Sequence, residues 1–593
     1  MVTYQNSVVT LDNLKLLISN IADSQADEIS KNSKSEPNCE LKLDEVAGKI
    51  LSLQLFEALD KVAAEKEINV LSEVLKKITS EDVLVEDQAI KKPVPIPYEV
   101  LKLIFLQTSE KFRQNNFYEL MNFYYEKLTD ALKKFGSKYY LKKAKFEFQV
   151  KYLLPLVKFE TLLQIVDTEQ DQQQITDLAS NIRNYFNNPR MNQEDIYVIV
   201  KNNIGSLQFH LVSYQFIPLD QRNGFLGDYF HLKIDFFHEN VQKKLNLFAK
   251  FLTPKQEAFK EVLKLGPSKK EEFFYMIYFP KLEELGYGEL TSFAPNCYFS
   301  RVDDVLILDD MTQKGFISLT PNMKLEYETL KLAIGKIAKL HCCSLILEQK
   351  VPSLCDTYDE FLQEVLFRPD DNKFIPLTTD RILYLATRFP EITKNYTREQ
   401  LKEKLEKGFK MFTEKIQKSS KIKNVVCHGD LYVANMLFKF DQDQTCEDVA
   451  LIDFQILRYC PPTVDLMFFL YQTTFKETLE VHKESLLEEY YATLTETLTK
   501  HGFNPEEIYS KEEFCEAVKY AKNLGIIQAL FYSPGHMVDP KVRESMLQDS
   551  DAYATIRAEE HGLLKLGMQS EDYRRALGGL LEKFIEICDN GEI

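Results

Sequence analysis

VVCHGDLYVANMLF (425–438) and VALIDFQ (449–455) are the two stretches that decide the fold of this chain. Each begins with an apolar run of β-type residues and ends in a polar turn, which predicts a strand followed by a loop. Asp430, Asn435 and Asp453 are therefore expected at strand ends or in loops, where the functional groups of proteins concentrate. The pattern predicts that these three oxygen-bearing side chains meet at one site.

The three side chains suit the transfer of a phosphoryl group to a hydroxyl. This reaction needs a carboxylate that accepts the proton of the alcohol and oxygen ligands that hold Mg²⁺ against the phosphates. It also needs cations or backbone N–H groups that hold the triphosphate. Asp430 fits the base, and Asn435 and Asp453 fit the metal ligands. One such motif can arise by chance, but a second one close by makes chance a poor explanation.

The flanking stretches predict a β-rich part followed by a helical part. A helix is expected at DIYVIVKNNIG (195–205) and an amphipathic helix at KKEEFFYMIYFPKLEEL (269–285). The β-type runs are FHLVSYQFIPL (209–219), DYFHLKIDFF (228–237), LNLFAKFL (245–252) and VLILDDM (305–311). Beyond residue 325 nearly everything outside the two motifs has a helical pattern. This order predicts two lobes over a cleft, with the chemistry between them.

HGDLYVANMLF (428–438) and ALIDFQILRY (450–459) resemble the ecdysteroid kinase-like family of insects and related animals, which is related to choline kinases, aminoglycoside phosphotransferases and protein kinases. The resemblance extends over about 195–593. It implies an α+β, protein-kinase-like, two-lobed fold with a small β-rich N-lobe at about 191–311 and a large, mostly helical C-lobe at about 312–593. It also implies a small-molecule kinase that uses ATP and Mg²⁺. The acceptor would be a small hydroxylated molecule, such as an ecdysteroid, another sterol-like molecule or a xenobiotic.

The resemblance also implies roles for individual residues. Asp430 is the expected catalytic base, and Asn435 and Asp453 are the expected ligands of the metal ion. His428 is expected to brace the catalytic loop, and Asp465 is expected to be structural.

Further residues resemble the nucleotide-binding positions of the family. Lys250 ends an apolar run and resembles the lysine that contacts the α- and β-phosphates, although an ordinary exposed lysine is the alternative. Glu271 resembles the helix glutamate that pairs with that lysine, with Glu272 as the alternative. Gly224 and Gly227 are expected in a turn over the phosphates, where close approach excludes a Cβ. A plain hairpin turn is the alternative there.

The stretch LILDDM (306–311) resembles the hinge whose backbone receives adenine. The predicted cofactor-binding positions in it are Leu308, Asp309, Asp310 and Met311. Their side chains need no special chemistry, because backbone groups carry out the recognition.

An early segment runs parallel to a later one. QTSEKFRQNNFYELMNFYYEKLTDALKKFG (107–136) parallels QTTFKETLEVHKESLLEEYYATLTETLTKHG (472–502), with a tyrosine pair at 124–125 and again at 490–491. The spacing drifts by three residues over some forty, as small gaps produce in a diverged duplication. Two amphipathic helical hairpins of similar composition are the alternative.

The predicted domain organisation follows from this repeat. Residues 1–45 are expected to be flexible, because much of the region is polar and low in aromatics. Residues 46–165 are predicted to be a helical, truncated copy of a kinase C-lobe, in which Asp87 corresponds to Asp453 without its partners. A linker is predicted at 166–190. The kinase-like domain is predicted at 191–593.

Composition limits the possible partners and surroundings. The 593 residues include 73 basic and 90 acidic side chains, a formal net charge of −17. An acidic surface argues against nucleic acid or anionic membranes as partners, because both require phosphate neutralisation. We predict no signal peptide and no membrane span. The ten cysteines contain no CxxC pair, which favours free thiols in a reducing cytoplasm.

Two other functions are compatible with the motifs. One is a catalytically inactive, kinase-like binding protein. The other is a protein kinase, which is disfavoured because no APE-like motif follows Asp453. The family usually carries Trp at Tyr432, but both are aromatic packing residues, so we expect no loss of activity. A metal site at His341, Cys342 and Cys343 is disfavoured, because adjacent positions of a helix point in different directions.

Overall fold

The computed structural model describes residues 11–31, 97–135, 141–165, 172–187, 190–219, 227–252, 266–352, 354–368, 374–539 and 561–593. These residues form helices and sheets, which confirms the predicted mixed class. The chain divides into two compact units. The first unit is Met1–Ile217 with Leu232–Asn246, and the second unit is Pro218–His231 with Leu247–Ile593.

The helices of the first unit precede its strands. They are α1 (Leu11–Lys31), α2 (Tyr98–Gln107), α3 (Glu110–Lys134), α4 (Lys143–Ile165), α5 (Gln172–Asn187) and α6 (Gln193–Ile204). α3 begins where the side chain of Ser109 accepts a hydrogen bond from the backbone N–H of Phe112. The helical character predicted before residue 191 is thus present in the described residues.

Two of these helices lie where the sequence predicted no regular structure. α1 falls within 1–45, which was expected to be flexible, and α5 falls within the expected linker 166–190. The buried residues of α1 recur every four positions: Leu14, Ile18, Ala22 and Ala26. This narrow apolar stripe packs against α3, whereas Leu16 and Leu17 of the same helix are exposed. Because two of the four stripe residues are alanines, the composition of this segment does not reveal its buried face.

A five-stranded sheet follows α6. Its strands are β1 (Phe209–Pro218), β2 (Asp228–His238), β3 (Val241–Phe251), β4 (Cys297–Arg301) and β5 (Val305–Asp309), in the order β1-β2-β3-β5-β4. β5 pairs antiparallel with β3, with Lys250 opposite Leu306. Four of these strands were predicted. β4 was not, because five residues that include Ser300 and Arg301 carry little β-type pattern.

The helical segment between β3 and β4 is not α-helical throughout. α7 (Pro267–Phe273) leads into a π-helical turn (Phe274–Tyr278), and α8 (Phe279–Glu284) follows. π turns widen a helix and are frequent at functional sites. The predicted amphipathic helix at 269–285 is confirmed, with this irregularity in its centre.

The rest of the second unit is mainly helical, as predicted. Its longer helices are α9 (Tyr327–Lys350), α12 (Phe374–Ala386), α14 (Arg398–Lys415), α15 (Pro462–Thr473), α16 (Lys476–Lys500), α18 (Lys511–His536) and α20 (Glu571–Asp589). Its short helices are α10 (Leu354–Thr357), α11 (Asp359–Leu362), α13 (Pro390–Thr393), α17 (Pro505–Ile508) and α19 (Gly562–Gly567). None of the described helices is long and apolar enough to cross a membrane.

Two small sheets hold the quoted motifs. One pairs β7 (Val425–Cys427) with β10 (Arg458–Cys460), and the other has the order β6 (Phe316–Ser318), β8 (Met436–Phe440), β9 (Cys446–Leu451). Both predicted strands are present, because β7 and β9 correspond to the apolar runs of the two motifs. Asp430 follows β7 and Asp453 follows β9, so both lie after strand ends as expected.

The two parallel segments form matching helices. α3 and α16 each contain 25 residues, and Tyr124 and Tyr490 occupy the same position in them. Both tyrosines are buried. The next residue in each helix also makes the same bond. The hydroxyl of Tyr125 donates to the carbonyl of Leu141 at 3.0 Å, and that of Tyr491 donates to the carbonyl of Tyr509 at 3.3 Å.

The match extends to α1, which the sequence comparison had left out. α1 packs on α3 as α9 packs on α16, and both helices begin with the tripeptide LKL, at 14–16 and 330–332. In the first unit the hydroxyl of Tyr124 donates to Gln25. In the second unit the hydroxyl of Tyr490 lies 2.7 Å from Nδ1 of His341. Gln25 and His341 stand at the same distance from their LKL tripeptides.

Candidate active site

The loop after β7 is held in place by hydrogen bonds from its backbone N–H groups. The carboxylate of Asp465, at the start of α15, accepts the N–H of His428 at 2.6 Å and the N–H of Gly429 at 3.0 Å. Gly429 has a φ of +88°, and a Cβ there would collide with the carbonyl oxygen of Ile456. Only glycine fits this position without strain. Asp465 is buried and holds the loop, so its position agrees with a structural role.

His428 connects this loop to the second motif. Its Nε2 atom lies 2.9 Å from the carbonyl oxygen of Ile452, and its Nδ1 atom lies 3.3 Å from the backbone N–H of Asp430. The neutral ring with its proton on Nε2 satisfies both bonds. Burial lowers the pKa of His428 despite the opposing charge of Asp465. The ring therefore braces the loop as a neutral group.

The side-chain amide of Asn435 is hydrogen-bonded to Asp430. Its Nδ2 atom donates to the carbonyl oxygen of Asp430 at 2.9 Å and to Oδ2 of the same residue at 3.0 Å. The backbone carbonyl oxygen of Asn435 accepts a hydrogen bond from the backbone N–H of Ile452 at 3.0 Å. The amide nitrogen is engaged by Asp430, which leaves the amide oxygen as the atom of this side chain that can bind a metal ion.

Asp453 has a strained backbone. Its φ is +70°, a region that non-glycine residues rarely adopt and that is often found at functional sites. Its Oδ1 atom lies 2.7 Å from Nζ of Lys250, and its Oδ2 atom accepts a hydrogen bond from Gln455 at 3.1 Å. The strained turn thus aims the carboxylate at the lysine of β3.

Lys250 joins two carboxylates. Its Nζ atom lies 2.9 Å from Oε2 of Glu271 as well as 2.7 Å from Asp453. Burial opposes the charge of the amine, but Asp453 and Glu271 together raise the pKa of Lys250 well above its usual range. Of the two glutamates considered from sequence, the structure places Glu271 beside the lysine.

Residues 221–503, a little under half of the chain, match the family model described as the ecdysteroid kinase-like family. This stretch is similar to the ecdysteroid kinase-like family. The predicted resemblance is confirmed, and the stretch contains every residue predicted for the site, from Gly224 to Asp453. No curated protein shows significant sequence similarity to the chain. We call residues 221–503 the kinase-like domain.

Phe454 of the kinase-like domain was missed by the sequence analysis. Its ring stacks on Phe274 of the π turn with centroids 3.8 Å apart and lies 4.8 Å from the ring of His428. Its backbone N–H donates to Glu271. Phe454 therefore packs the helix that carries Glu271 against the catalytic loop. Its place directly after Asp453 was the available signal.

The glycine turn is described only in part. A Cβ on Gly227 would collide with the carbonyl oxygen of Phe251, so the backbone of β3 approaches too closely for any other residue. Gly224 and Asp87 lie outside the described residues. The backbone of Phe251 is thus what excludes a Cβ at Gly227, and the expected approach of this turn to the phosphates stays a prediction.

In the expected hinge, the carboxylates of Asp309 and Asp310 are engaged by neighbouring groups of the protein. Oδ2 of Asp310 lies 2.8 Å from Nδ1 of His231, and its Oδ1 atom accepts the N–H of Thr312 at 3.1 Å. The carboxylate of Asp309 accepts hydrogen bonds from three side chains: Asn296, Tyr298 and Lys314. Leu308 and Met311 are buried. The arrangement agrees with recognition through backbone groups.

An aromatic group lies beside Asp430. The rings of Tyr432 and His536 stack with centroids 4.0 Å apart, and Tyr532 lies 5.2 Å from His536. Burial raises the pKa of Tyr532 well above its usual range, and the negative charge of Asp430 adds to the effect. The helical pattern of α18 gave no signal for this group, because aromatic residues in a helix usually belong to the core.

The buried His341 lies in a helix, as expected. Its Nε2 atom lies 3.5 Å from Oδ2 of Asp465, with Cys427 close by. Asp465 already accepts two backbone hydrogen bonds, and burial raises the pKa of the Cys427 thiol. The three side chains support the catalytic loop.

Proposed function

We propose that the kinase-like domain transfers the γ-phosphoryl group of ATP to a hydroxyl group of a small molecule. One observation carries this proposal: Lys250 binds Glu271 and Asp453 at once. A buried lysine placed between a helix glutamate and a strained aspartate is the arrangement that triphosphate binding requires. Similarity to the family at residues 221–503 supports it.

The donor set fits Mg²⁺ and ATP. Carboxylate and amide oxygens are hard ligands that suit Mg²⁺, and Asn435 and Asp453 supply them. Lys250 would bind the α- and β-phosphates, and Gly227 would allow the turn to approach them. When bound, Mg²⁺–ATP supplies the transferred group and offsets the charge that develops on it.

The remaining steps belong to the residues of the catalytic loop. Asp430 would bind the acceptor hydroxyl, orient it and take its proton as the new oxygen–phosphorus bond forms and the bond from the γ-phosphorus to the leaving ADP breaks. Asn435 holds the carboxylate of Asp430 in place through its amide nitrogen. His428 and Asp465 keep the loop in position relative to Asp453.

The aromatic group beside Asp430 suggests the class of acceptor. Tyr432, Tyr532 and His536 form an aromatic cluster, and aromatic side chains beside a reacting group suit a rigid, largely apolar ring system. An ecdysteroid, another sterol-like molecule or a ring-containing xenobiotic meets this description.

Turnover of the purified full chain tests the proposal. We would incubate it with Mg²⁺–ATP and a panel of ecdysteroids, sterols and simple alcohols, and identify phosphorylated products by mass spectrometry. A phosphate monoester is the expected product, and Asp453→Asn is expected to abolish it. Asp443→Asn is the matched control, because Asp443 is exposed in the turn between β8 and β9. Absence of any product across the panel would count against the proposal.

The alternative is a catalytically inactive protein that retains the fold. A thermal shift produced by ATP only when Mg²⁺ is present, and lost in Asp453→Asn, would indicate a functional nucleotide site. Nucleotide binding without any transfer would favour the alternative. The nine described cysteines are free thiols, which supports the proposed cytoplasmic location.

We also propose that α1–α4 are a partial second copy of the helices α9, α15, α16 and α18. The matching helix lengths and the paired tyrosine hydrogen bonds support this. The copy extends further back than 46–165, because α1 corresponds to α9. Val100 replaces Asp465 in this alignment, so the copy lacks the carboxylate that holds a catalytic loop.

A further inference from the structure

A cavity lies in the second unit among α15, α16, α18 and α20. Its volume is about 280 Å³, near the lower end of the range of about 300–1,000 Å³ found for ligand pockets. The apolar part of its lining includes Tyr471, Leu479, Ile526, Leu580 and Ile587. This lining shares no residue with the site around Asp430 among the residues that the structure describes. The space is therefore a separate one.

The cavity wall carries an excess of lysine. Lys476, Lys483, Lys522 and Lys583 line it. Three of them are paired: Lys476 with Glu582 at 2.7 Å, Lys522 with Glu592 at 3.3 Å and Lys583 with Glu480 at 2.7 Å. Glu586 also lines the cavity, and Lys583 binds it at 2.8 Å. The acidic groups of the wall are thus already neutralised.

Lys483 differs from the other three lysines. Within the described chain, no carboxylate oxygen lies within 4.0 Å of its Nζ atom. The amine instead lies 5.7 Å from the centroid of the Tyr471 ring. Burial lowers the pKa of Lys483, and the charges of Lys522 and Lys583 lower it further against the effect of Glu484. The wall of this partly apolar cavity therefore holds a half-buried cation with no carboxylate at ion-pair distance among the described residues.

In the first unit, the helix α3, which matches α16, packs without an amine at the position of Lys483. A cavity of about 130 Å³ lies against α3, which matches α16. Phe117 lines it, at the position in α3 that Lys483 has in α16. Similar helices can therefore border a space with an aromatic ring at this position, and the lysine is particular to the kinase-like domain.

We propose that the cavity binds a small amphipathic anion, whose charged group pairs with Lys483 and whose apolar body lies against Leu479, Ile526 and Leu580. An anion would supply the counter-ion, and the apolar lining would bury the rest of the ligand. The shape of the lining favours a short aliphatic or single-ring acid over a large ligand, given the volume.

Calorimetric titration of the full chain with decanoate tests this site. One molecule of decanoate is expected to bind per chain. Lys483→Met should weaken binding by about tenfold or more, since a charge-assisted hydrogen bond is lost. Lys483→Arg should retain binding because it keeps the charge. Lys511→Met is the matched control, because Lys511 lies on α18 outside the cavity and pairs with Glu488.

Three further titrations separate the alternatives. Equal affinity for decan-1-ol would show an apolar space without anion recognition, and equal affinity for inorganic phosphate would show an anion site without an apolar part. Either result overturns the proposal, as does the absence of decanoate binding. Asp453→Asn should leave decanoate binding unchanged. Loss of binding in that variant would place the ligand in the active site and refute a separate cavity.

Discussion

Nζ of Lys250 lies 2.7 Å from Oδ1 of Asp453, so an amine at the end of β3 is paired directly with the carboxylate that follows β9. The two residues are 203 positions apart in the chain. Glu271 completes the group at 2.9 Å from the same amine. This one lysine thereby links the sheet, the helical segment with the π turn and the strained turn of the second motif.

Replacing Lys250 should affect both function and stability. In Lys250→Met the carboxylates of Glu271 and Asp453 lose their common partner. Turnover is expected to fall by about 10²–10³-fold, as for other lost electrostatic contacts to a transition state. The free energy of unfolding should fall by on the order of 3 kcal/mol, because a largely buried pair is broken from one side. Steady-state kinetics and denaturant unfolding measure the two effects.

Lys244→Met is the control for this change. Lys244 also lies on β3, but its side chain is 76% exposed and its nearest carboxylate is 3.8 Å away. It should behave like the wild type in both measurements. Equal effects of the two substitutions would contradict a special role for Lys250.

Asp430→Ala should remove the general base and leave nucleotide binding in place. We expect the turnover number to fall by about 10²–10⁴-fold, the usual scale for such a group. The KM for ATP should change little, because the phosphates are held by other residues. A variant that lost ATP affinity and turnover in equal measure would show that Asp430 acts mainly in binding. Asp443→Ala, in an exposed turn, is the matched control.

His428 should make stability depend on pH. Its pKa is lower in the folded protein than in the unfolded chain, because burial disfavours the imidazolium form. The unfolded chain therefore binds more protons as the pH falls below about 6.5. The stabilising contribution should be complete above that pH and decline below it. In His428→Gln the decline should be smaller, as measured by denaturant unfolding from pH 5 to about pH 8. Identical pH dependence in both proteins would contradict a neutral, buried ring.

Two glycines provide a matched pair for the loop. Gly429 and Gly502 have similar φ values, +88° and +81°. A Cβ on Gly429 would collide with the carbonyl of Ile456, whereas nothing lies within 4 Å of one on Gly502. Gly502→Ala should cost about 1–2 kcal/mol of stability, the cost of a left-handed conformation. Gly429→Ala should cost more and also reduce turnover, because the loop must move. Denaturant unfolding and activity assays on both variants measure the two effects. Equal losses of stability in the two variants would refute the close approach of Gly429 to the carbonyl of Ile456.

The local elements of the kinase-like domain could be predicted from the sequence, because their signals are local. A short apolar run of β-type residues that ends in a polar turn indicates a strand from local sequence alone, so β3, β5, β7 and β9 were found. The spacing of Asp430, Asn435 and Asp453 likewise indicated the chemistry. The prediction failed at α1, whose narrow stripe contains alanines that composition does not distinguish from a polar segment. It also missed β4, whose Ser300 and Arg301 interrupt the β-type pattern.

The sequence by itself determined which residue types could bind metal and phosphate, and it indicated that two stretches of helix run parallel. Only the tertiary structure decided that Glu271 reaches Lys250 and that Phe454 packs on the π turn. It also decided that, among the described residues, no carboxylate oxygen lies within 4.0 Å of Nζ of Lys483. The reason is physical. Periodicity and turn residues act over a few positions, whereas an ion pair or a ring contact depends on distances between segments that are far apart in the chain.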